Sequence, residues 1–546
     1  MKVSLTLVSV IVVTFLVFGG TLQHDFVNFD DGIYVYENLH IQTLSWENVR
    51  WLFSNIYYTQ YIPVTMFSHA VDYAIWNSDP RGHHLTNVIL HSVNAGWVFL
   101  LGLISIGIAR PHRSVTASPS SFFPIVGTLP FFGSVVAALF FSLHPLRAES
   151  VAWVSDRKDL LCTMFLAPSL IAYIRYASLR DSVQAKRWYV PCFVLFLLAL
   201  LSKSVAVVAP VLFLLFDYLL LPAKWRKTHG RTIAEKIPFL ISAASAALIL
   251  VVSAPHAKVN VIVSKLTGFE TILFPFYSLF FYLQKMVFPV DLAPLYPSVG
   301  IGTMVFAFAI VVGTTAACIM QAQKNHRLPI LAWATFVIIQ IPAIVSVFSG
   351  NQPFADRYSY LATISLCLLA GGWLEGLKVR IAKPVTRSVL LMGSAFVLVV
   401  LGVLTIRQAG HWQNSETLWT YVLANDRGTI EYLDGYVNLG QAYVEGGKHH
   451  EAKAMFRKAI ALDSTDADAY YDMAYAYYYL GQVDTAMNLF RKTIVLDSIY
   501  AKAFYNIGII HLKMNNQNAA LDSLKKAARL GYVDAQGLLS KHSIAW

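Results

Sequence analysis

Residues 26 to 35, "FVNFDDGIYV", set two carboxylates side by side, Asp30 and Asp31, among Phe26, Phe29, Ile33, Tyr34 and Tyr36. Adjacent acids in so aromatic a setting are poorly hydrated, which favours a chemical role over that of a lone surface acid. Cations stand in three further strings: Arg147, Arg157 and Lys158 in "HPLRAESVAWVSDRKD" (144 to 159), Lys203 in "LLSKS", and Arg357 in "FADRYSY" (354 to 360). A carboxylate that takes a proton from a hydroxyl, with cations that hold a departing phosphate, makes up the machinery of group transfer from a lipid-linked donor. The competing reading is structural: the cations pair with Glu149, Asp156, Asp159 and Asp356, and Lys203 snorkels to an interface. Glu149, Asp156, His84, His91 and His144 are supporting candidates. His83, His84 and His91 alone lack the spacing of a metal site, and there is no P-loop, Rossmann glycine pattern or nucleophile elbow. No cofactor is expected, with a divalent metal kept as an alternative, and nothing points to nucleic acid.

The elements that must position these residues are membrane helices. The 546 residues are 56% hydrophobic and 13% charged, with a mean hydropathy of +0.54, outside the range of soluble domains. Apolar runs near 3–22, 85–107, 122–143, 159–178, 188–203, 204–221, 237–254, 300–320, 329–349, 357–375 and 388–406 predict about eleven spans. The first reads as an uncleaved anchor. Segment 269–289 reads as an interfacial or re-entrant helix, since Pro275, Gln284 and Lys285 suit that better than a crossing. With the N-terminus inside, the inner loops collect Lys and Arg while the outer loops hold most of the acids, as the positive-inside rule asks. Every candidate above then faces the outer side. The net charge of +11 belongs to this part: residues 408–546 carry 13 basic and 14 acidic side chains, leaving 29 and 17 for the rest. The four cysteines all lie in apolar segments, so no disulfide framework is expected.

Beyond Arg407 the chain repeats itself every 34 residues. Tyr436, Gly440, Ala452 and Phe456 recur as Tyr470, Ala474, Ala486 and Phe490, then as Phe504, Gly508, Ala520 and Leu524. That period, with small residues where paired helices touch, predicts a tetratricopeptide (TPR) α-solenoid. The expected division is a membrane domain, 1–407, and a TPR domain, 408–546, with a lead-in helix, units at about 433–466, 467–500 and 501–532, and a capping helix. Groove-facing register positions include Tyr471, Tyr475, Tyr478, Tyr479 and Tyr505 beside Asp434, Gln441 and Asp468, a surface suited to an acceptor polypeptide. The fold class is therefore all-α: a polytopic helical membrane domain followed by an α-solenoid.

"FVNFDDGIYVYEN", "YIPVTMFSHAVDYAIW", "RGHHLTNVILHSVNA", "SLHPLRAESVAWVSDRKD", "LLSKSVAVVAPVLFLLFDYLL" and "DRYSYLA" resemble the transmembrane-and-TPR O-mannosyltransferases and their prokaryotic relatives, in the GT-C superfamily of glycosyltransferases. The resemblance implies transfer of a sugar, mannose foremost, from a polyprenyl-phosphate donor to protein Ser or Thr hydroxyls on the non-cytoplasmic face. It implies a catalytic base in the first outer loop, where Asp30 and Asp31 stand; the related protein O-mannosyltransferases show Asp-Glu there, and which of the two is the base stays open. It implies donor-phosphate contacts at Arg147, Arg157, Lys158, Lys203 and Arg357. Three TPR units are fewer than in animal members, which favours a prokaryotic relative in the plasma or inner membrane, with active site and repeats on the outer side. The rival readings are a non-catalytic TPR scaffold and a transporter of lipid-linked sugars. Eleven spans exceed what anchoring needs, and a transport path would place ionisable residues near the bilayer midplane.

Overall fold

The computed structural model describes every residue except 58–59, 109–128, 181, 220–228, 254–265, 298, 325, 347–351, 425 and 427–428. Among the described residues regular structure is helical, and the one β-bridge pairs Tyr57 with Gln60. In an apolar medium this is the economical solution, because a helix satisfies its own backbone. The chain divides into two compact units, Met1–Gln413 and Asn414–Trp546.

The first unit is that of an integral membrane protein. Among the described residues seven helices are long and apolar enough to cross a bilayer: Lys2–Gln23, Pro80–Ile108, Val154–Ser178, Val183–Ser202, Ile301–Gln323, Arg327–Val345 and Pro384–Gly410. Among the described residues two bent helix pairs reach that length and hydropathy together, each a broken span or a re-entrant loop: Phe131–Ser142 bends by 54° into Pro145–Ala152, and Asp356–Ala362 by 55° into Ile364–Arg380. Ser204–Tyr218 and Ile237–Ile249 are shorter apolar helices. Each of the eleven apolar segments thus coincides with one of these helices, but four are bent or short rather than full straight spans. Residues 122–128 of the third segment lie outside the described residues. Segment 269–289 forms the helix Gly268–Val287, started by a capping box of Thr267 and Glu270; it is not among the helices apolar enough to span.

The first break has a readable cause. Pro145 cannot continue the Phe131–Ser142 ladder, and it starts the next turn at the first helical position, where its missing N–H costs nothing. The two broken spans cross closely: a Cβ at Gly133 would collide with the Gly371 carbonyl, and one at Gly371 with that of Gly133. The Gly133 N–H, at the N-terminal end of its helix, is taken by the buried Glu375 carboxylate at 2.8 Å.

The second unit consists of antiparallel helix pairs: Leu433–Glu445 with His449–Leu462, Ala467–Tyr479 with Val483–Leu496, and Ala501–Lys513 with Gln517–Arg529. Helix Ser415–Leu423 precedes them and Val533–Lys541 follows. Within each pair the turn needs a left-handed residue, supplied at 34-residue intervals by Gly447, Gly481 and Asn515, with φ of 73°, 75° and 58°. Gly440 and Gly508 sit where a Cβ would strike Phe456 and Leu524. The small residues of the repeat are therefore set by helix contact.

Candidate active site

The acidic pair lies in the loop after the first span, where residues 32 to 36 form a single π-helical turn, closed by the Glu37 N–H on the Gly32 carbonyl at 2.9 Å. Such turns are rare and concentrate at functional sites. The turn separates the two acids in role. Asp31, 1% exposed, is saturated: Oδ2 accepts from the Val27 N–H at 3.0 Å, and Oδ1 from the Ser155 N–H at 3.0 Å and the Ser155 hydroxyl at 2.5 Å. Burial pushes its pKa up to about 6, with the Ser155 hydroxyl foremost among the hydrogen bonds that oppose the rise. Asp30 accepts no side-chain hydrogen bond among the described residues. Burial raises its pKa too, held back by the charges of Lys158 and then Arg357.

The five cations differ in freedom. Arg157 is fully engaged: its guanidinium meets Asp72 at 2.6 Å, Asn87 Oδ1 at 2.8 Å, the His83 carbonyl at 2.9 Å and the Ser68 carbonyl at 3.2 Å. These contacts engage both terminal nitrogens and Nε and tie the helix that begins at Arg157 to the neighbouring ones. Arg147, fully buried, donates to Ser359 and Thr363 hydroxyls at 2.8 and 3.1 Å. Its guanidinium lies between the Phe141 and Tyr360 rings. Lys203 pairs with Asp159 at 2.5 Å and stands 4.0 Å from Asp156, whose buried carboxylate has no hydrogen-bond partner among the described residues. Arg357 is held by Glu149, which accepts from its Nη1 and, at 3.0 Å, from its backbone N–H, while Nη2 donates to Gln352 at 2.8 Å. Lys158 makes no hydrogen bond or ion pair with the described residues, and its ammonium rests over the Tyr34 and Trp153 rings at 5.3 and 5.8 Å.

Aromatic rings form the wall of this cluster. Trp153 stacks on Phe29, the neighbour of Asp30, at 4.7 Å, and Arg357 lies 5.2 Å from the same indole. The first acidic loop, the 153–159 segment, the 202–203 turn and the 356–358 turn therefore meet. The supporting histidines lie elsewhere in the packing. His91 accepts from the Tyr360 hydroxyl at 2.7 Å and donates to the Ser142 carbonyl at 3.1 Å. His144 accepts from the Leu146 N–H and donates to the Met286 carbonyl, and His84 reaches only the Asp25 carbonyl at 3.4 Å. Among the described residues no three His, Cys, Asp or Glu side chains are grouped to hold a metal.

Sequence reasoning missed Ser155, Asp72, Asn87, Trp153 and Gln352. One signal was present: His83, Asn87, His91 and Asn94 form a polar stripe down the otherwise apolar helix Pro80–Ile108, and all four are buried. Polar side chains at that spacing in a membrane helix mark a face turned to protein.

In the repeats the five tyrosines split. Tyr479 is 53% exposed and stacks on His449, and its hydroxyl meets that of Tyr475 at 3.2 Å. Tyr478 and Tyr479 border an open pocket of about 430 Å³ with Val483, Ile510, Lys513 and Met514. Tyr471 is more structural, packed on Phe490 and Tyr500 and accepting from Asn506 at 2.9 Å. Tyr505 packs against Tyr532. Gln441 and Asp468 are occupied by Asp472 and Tyr500.

TPR models match residues 440–481, 468–496 and 501–530. The chain is similar to the human protein O-mannosyl-transferase TMTC4, 26% identical over 224 residues that cover 38% of this chain and 28% of the relative. It is 23% identical over 416 residues to the Caenorhabditis elegans protein O-mannosyl-transferase F38B6.6, covering 74% of this chain and 54% of the relative. It is 31% identical over 142 residues to Drosophila melanogaster Tmtc1, also a protein O-mannosyl-transferase, covering 26% and 16%. The matches span about half the length of these curated relatives or less. Among solved structures, ArnT from Cupriavidus metallidurans aligns with a TM-score of 0.39 in the apo state, at 16% identity over 93% of this chain and 81% of that one. Its complex with undecaprenyl phosphate gives 0.37, at 17% identity over 92% and 80%.

Proposed function

We propose that this chain, similar to protein O-mannosyl-transferases along most of its membrane part, is a membrane glycosyltransferase. It moves a sugar, mannose foremost, from a polyprenyl-phosphate donor to a Ser or Thr hydroxyl of a protein, on the outer face of a plasma or inner membrane. The observation that carries this reading is Asp30, a partly buried carboxylate that accepts no side-chain hydrogen bond among the described residues and lies in the field of Lys158 and Arg357. In the reaction Asp30 accepts the hydroxyl proton as the acceptor oxygen bonds to the anomeric carbon. The bond from that carbon to the phosphate oxygen breaks, and its electron pair leaves with the polyprenyl phosphate. Lys158, which makes no close ion pair among the described residues, and Arg357, steered by Glu149, neutralise that oxygen's growing charge. Asp31 does not take the proton; with Ser155 it fixes the backbone on which Asp30 stands. Lys203, paired with Asp159, completes the cationic rim, while Arg157 only holds helices together.

The repeats, placed by this reading on the same outer side, offer the acceptor protein a tyrosine-lined groove and raise its concentration near the site. The test is transfer by the purified full chain from radiolabelled polyprenyl-phosphate mannose, with the glucose and galactose donors alongside. Transfer from one of them, lowered on the order of a hundredfold or more in a folded Asp30→Asn variant, is the expected outcome. A chain inert with every donor, or an Asp30→Asn variant with full activity, would overturn the assignment.

A further inference from the structure

The last span ends at Gly410, and a short turn follows before the repeat unit begins at Asn414. That turn is fastened to the acidic loop and to the 153–159 segment. The Asp25 N–H donates to the Gln413 carbonyl at 2.9 Å. Trp412, 1% exposed, stacks on Trp153 with ring centres 5.9 Å apart and planes 23° from parallel. Trp153 in turn carries Phe29 on its ring, at 4.7 Å and 24°, and has Arg357 and Lys158 close against its π-system. A single aromatic column, Trp412 to Trp153 to Phe29, therefore runs beside the candidate base and against Lys158 and Arg357.

We propose that Trp412 is a positioning residue for the transfer reaction: through Trp153 it fixes Asp30, Lys158 and Arg357, so that the turn from which the repeats extend is part of the catalytic apparatus. This rests on the functional reading above. The physical argument is close packing. Trp412 and Trp153 are both among the largest fully buried side chains, and a fully buried indole cannot be removed without its neighbours moving into the space. Trp153 is the neighbour that stacks on it, and any shift of that ring displaces Phe29, one residue from Asp30, together with the surface that orients the two cations. Reaction geometry is sensitive to displacements on the order of 1 Å.

The experiment compares Trp412→Phe, Trp412→Leu and the milder Trp412→Met in the purified full chain, using the polyprenyl-phosphate sugar that wild type accepts and a short Ser/Thr peptide. Removing the stacked ring is expected to lower kcat roughly tenfold or more and to raise the donor KM, because base and cations move together. The peptide KM should stay within about twofold, since the acceptor is held elsewhere. Trp412→Phe, which retains a stacking ring, should recover most of the loss. A purely structural tryptophan would lower the melting temperature without this split between donor and acceptor. Wild-type kcat and donor KM in a folded Leu or Met variant would overturn the proposal, as would a Phe variant no better than Leu. Failure of the underlying reading shows separately, as transfer that survives Asp30→Asn.

Discussion

Replacing Asp31 by Asn should change the pH dependence of stability in a definite direction. In the folded chain burial lifts this carboxyl from its ordinary 3.8 to about 6, a difference worth about 3 kcal/mol. Because the folded value lies above the unfolded one, the protonated form is the one that folding favours. Stability is thus greatest below the unfolded value and is lost as pH rises through about 6. About 2 of the 3 kcal/mol fall between roughly pH 4.5 and 7.5. Asn does not titrate. Its oxygen still accepts from both Ser155 donors, but its amide N–H₂ faces the Val27 N–H and leaves buried donors opposed, at about 1–3 kcal/mol. Near pH 7.5 relief of the buried charge and loss of the Val27 bond roughly cancel, so the variant should match wild type to within about 2 kcal/mol. Near pH 4.5 most of the relief has gone, and the variant should be the less stable of the two by more than at neutral pH. Denaturant unfolding in detergent at the two pH values measures the gap, and the other titrating groups cancel between the proteins. A difference between the two proteins that is independent of pH, or that shifts against the variant as pH rises from 4.5 to 7.5, would refute the account of Asp31 as a buried, hydrogen-bonded strut.

Three further outcomes follow from the geometry. Arg157→Gln strands Asp72 in a buried site, so it should cost about 3–5 kcal/mol of stability while leaving the donor KM of the folded fraction unchanged; weaker donor binding at wild-type stability would return Arg157 to the phosphate site. In the repeats, the double variant Tyr475→Ala with Tyr479→Ala should raise the KM for a folded protein acceptor several-fold and spare a short peptide, whereas Tyr471→Ala should chiefly destabilise, by about 2 kcal/mol or more, through loss of its packing on Phe490 and its bond from Asn506. Equal effects on both acceptors would deny the groove a role in acceptor capture.

What could be read from the sequence divides along physical lines. The spans and the repeats were legible because both are written locally, as apolar runs near the length a bilayer needs and as a 34-residue period whose small positions abut Phe456 and Leu524. The acidic pair stood out for the same reason: its discomfort is caused by its immediate neighbours. The different surroundings of Asp30 and Asp31 were not legible, because they depend on Ser155, 124 residues away. Arg157 looked like a phosphate ligand because its partners, Asp72 and Asn87, come from two other helices. The break at Pro145 carries its own marker, but the one between Ala362 and Ile364 has neither proline nor glycine and shows only in three dimensions. Trp412 read as the beginning of the repeats, and nothing in its surroundings along the chain points to Trp153.

The crossing of Gly133 and Gly371 has an evolutionary corollary. Most tight contacts in a core can be renegotiated, a larger side chain on one helix being matched by a smaller one opposite. Here each absent Cβ would meet a backbone carbonyl, and no residue smaller than glycine exists to make room. Neither position can compensate for the other, so the pair cannot drift by covariation. Any lineage that keeps these two broken spans in contact keeps both glycines, and one that loses either must rebuild the crossing, including the bond between the Gly133 N–H and Glu375.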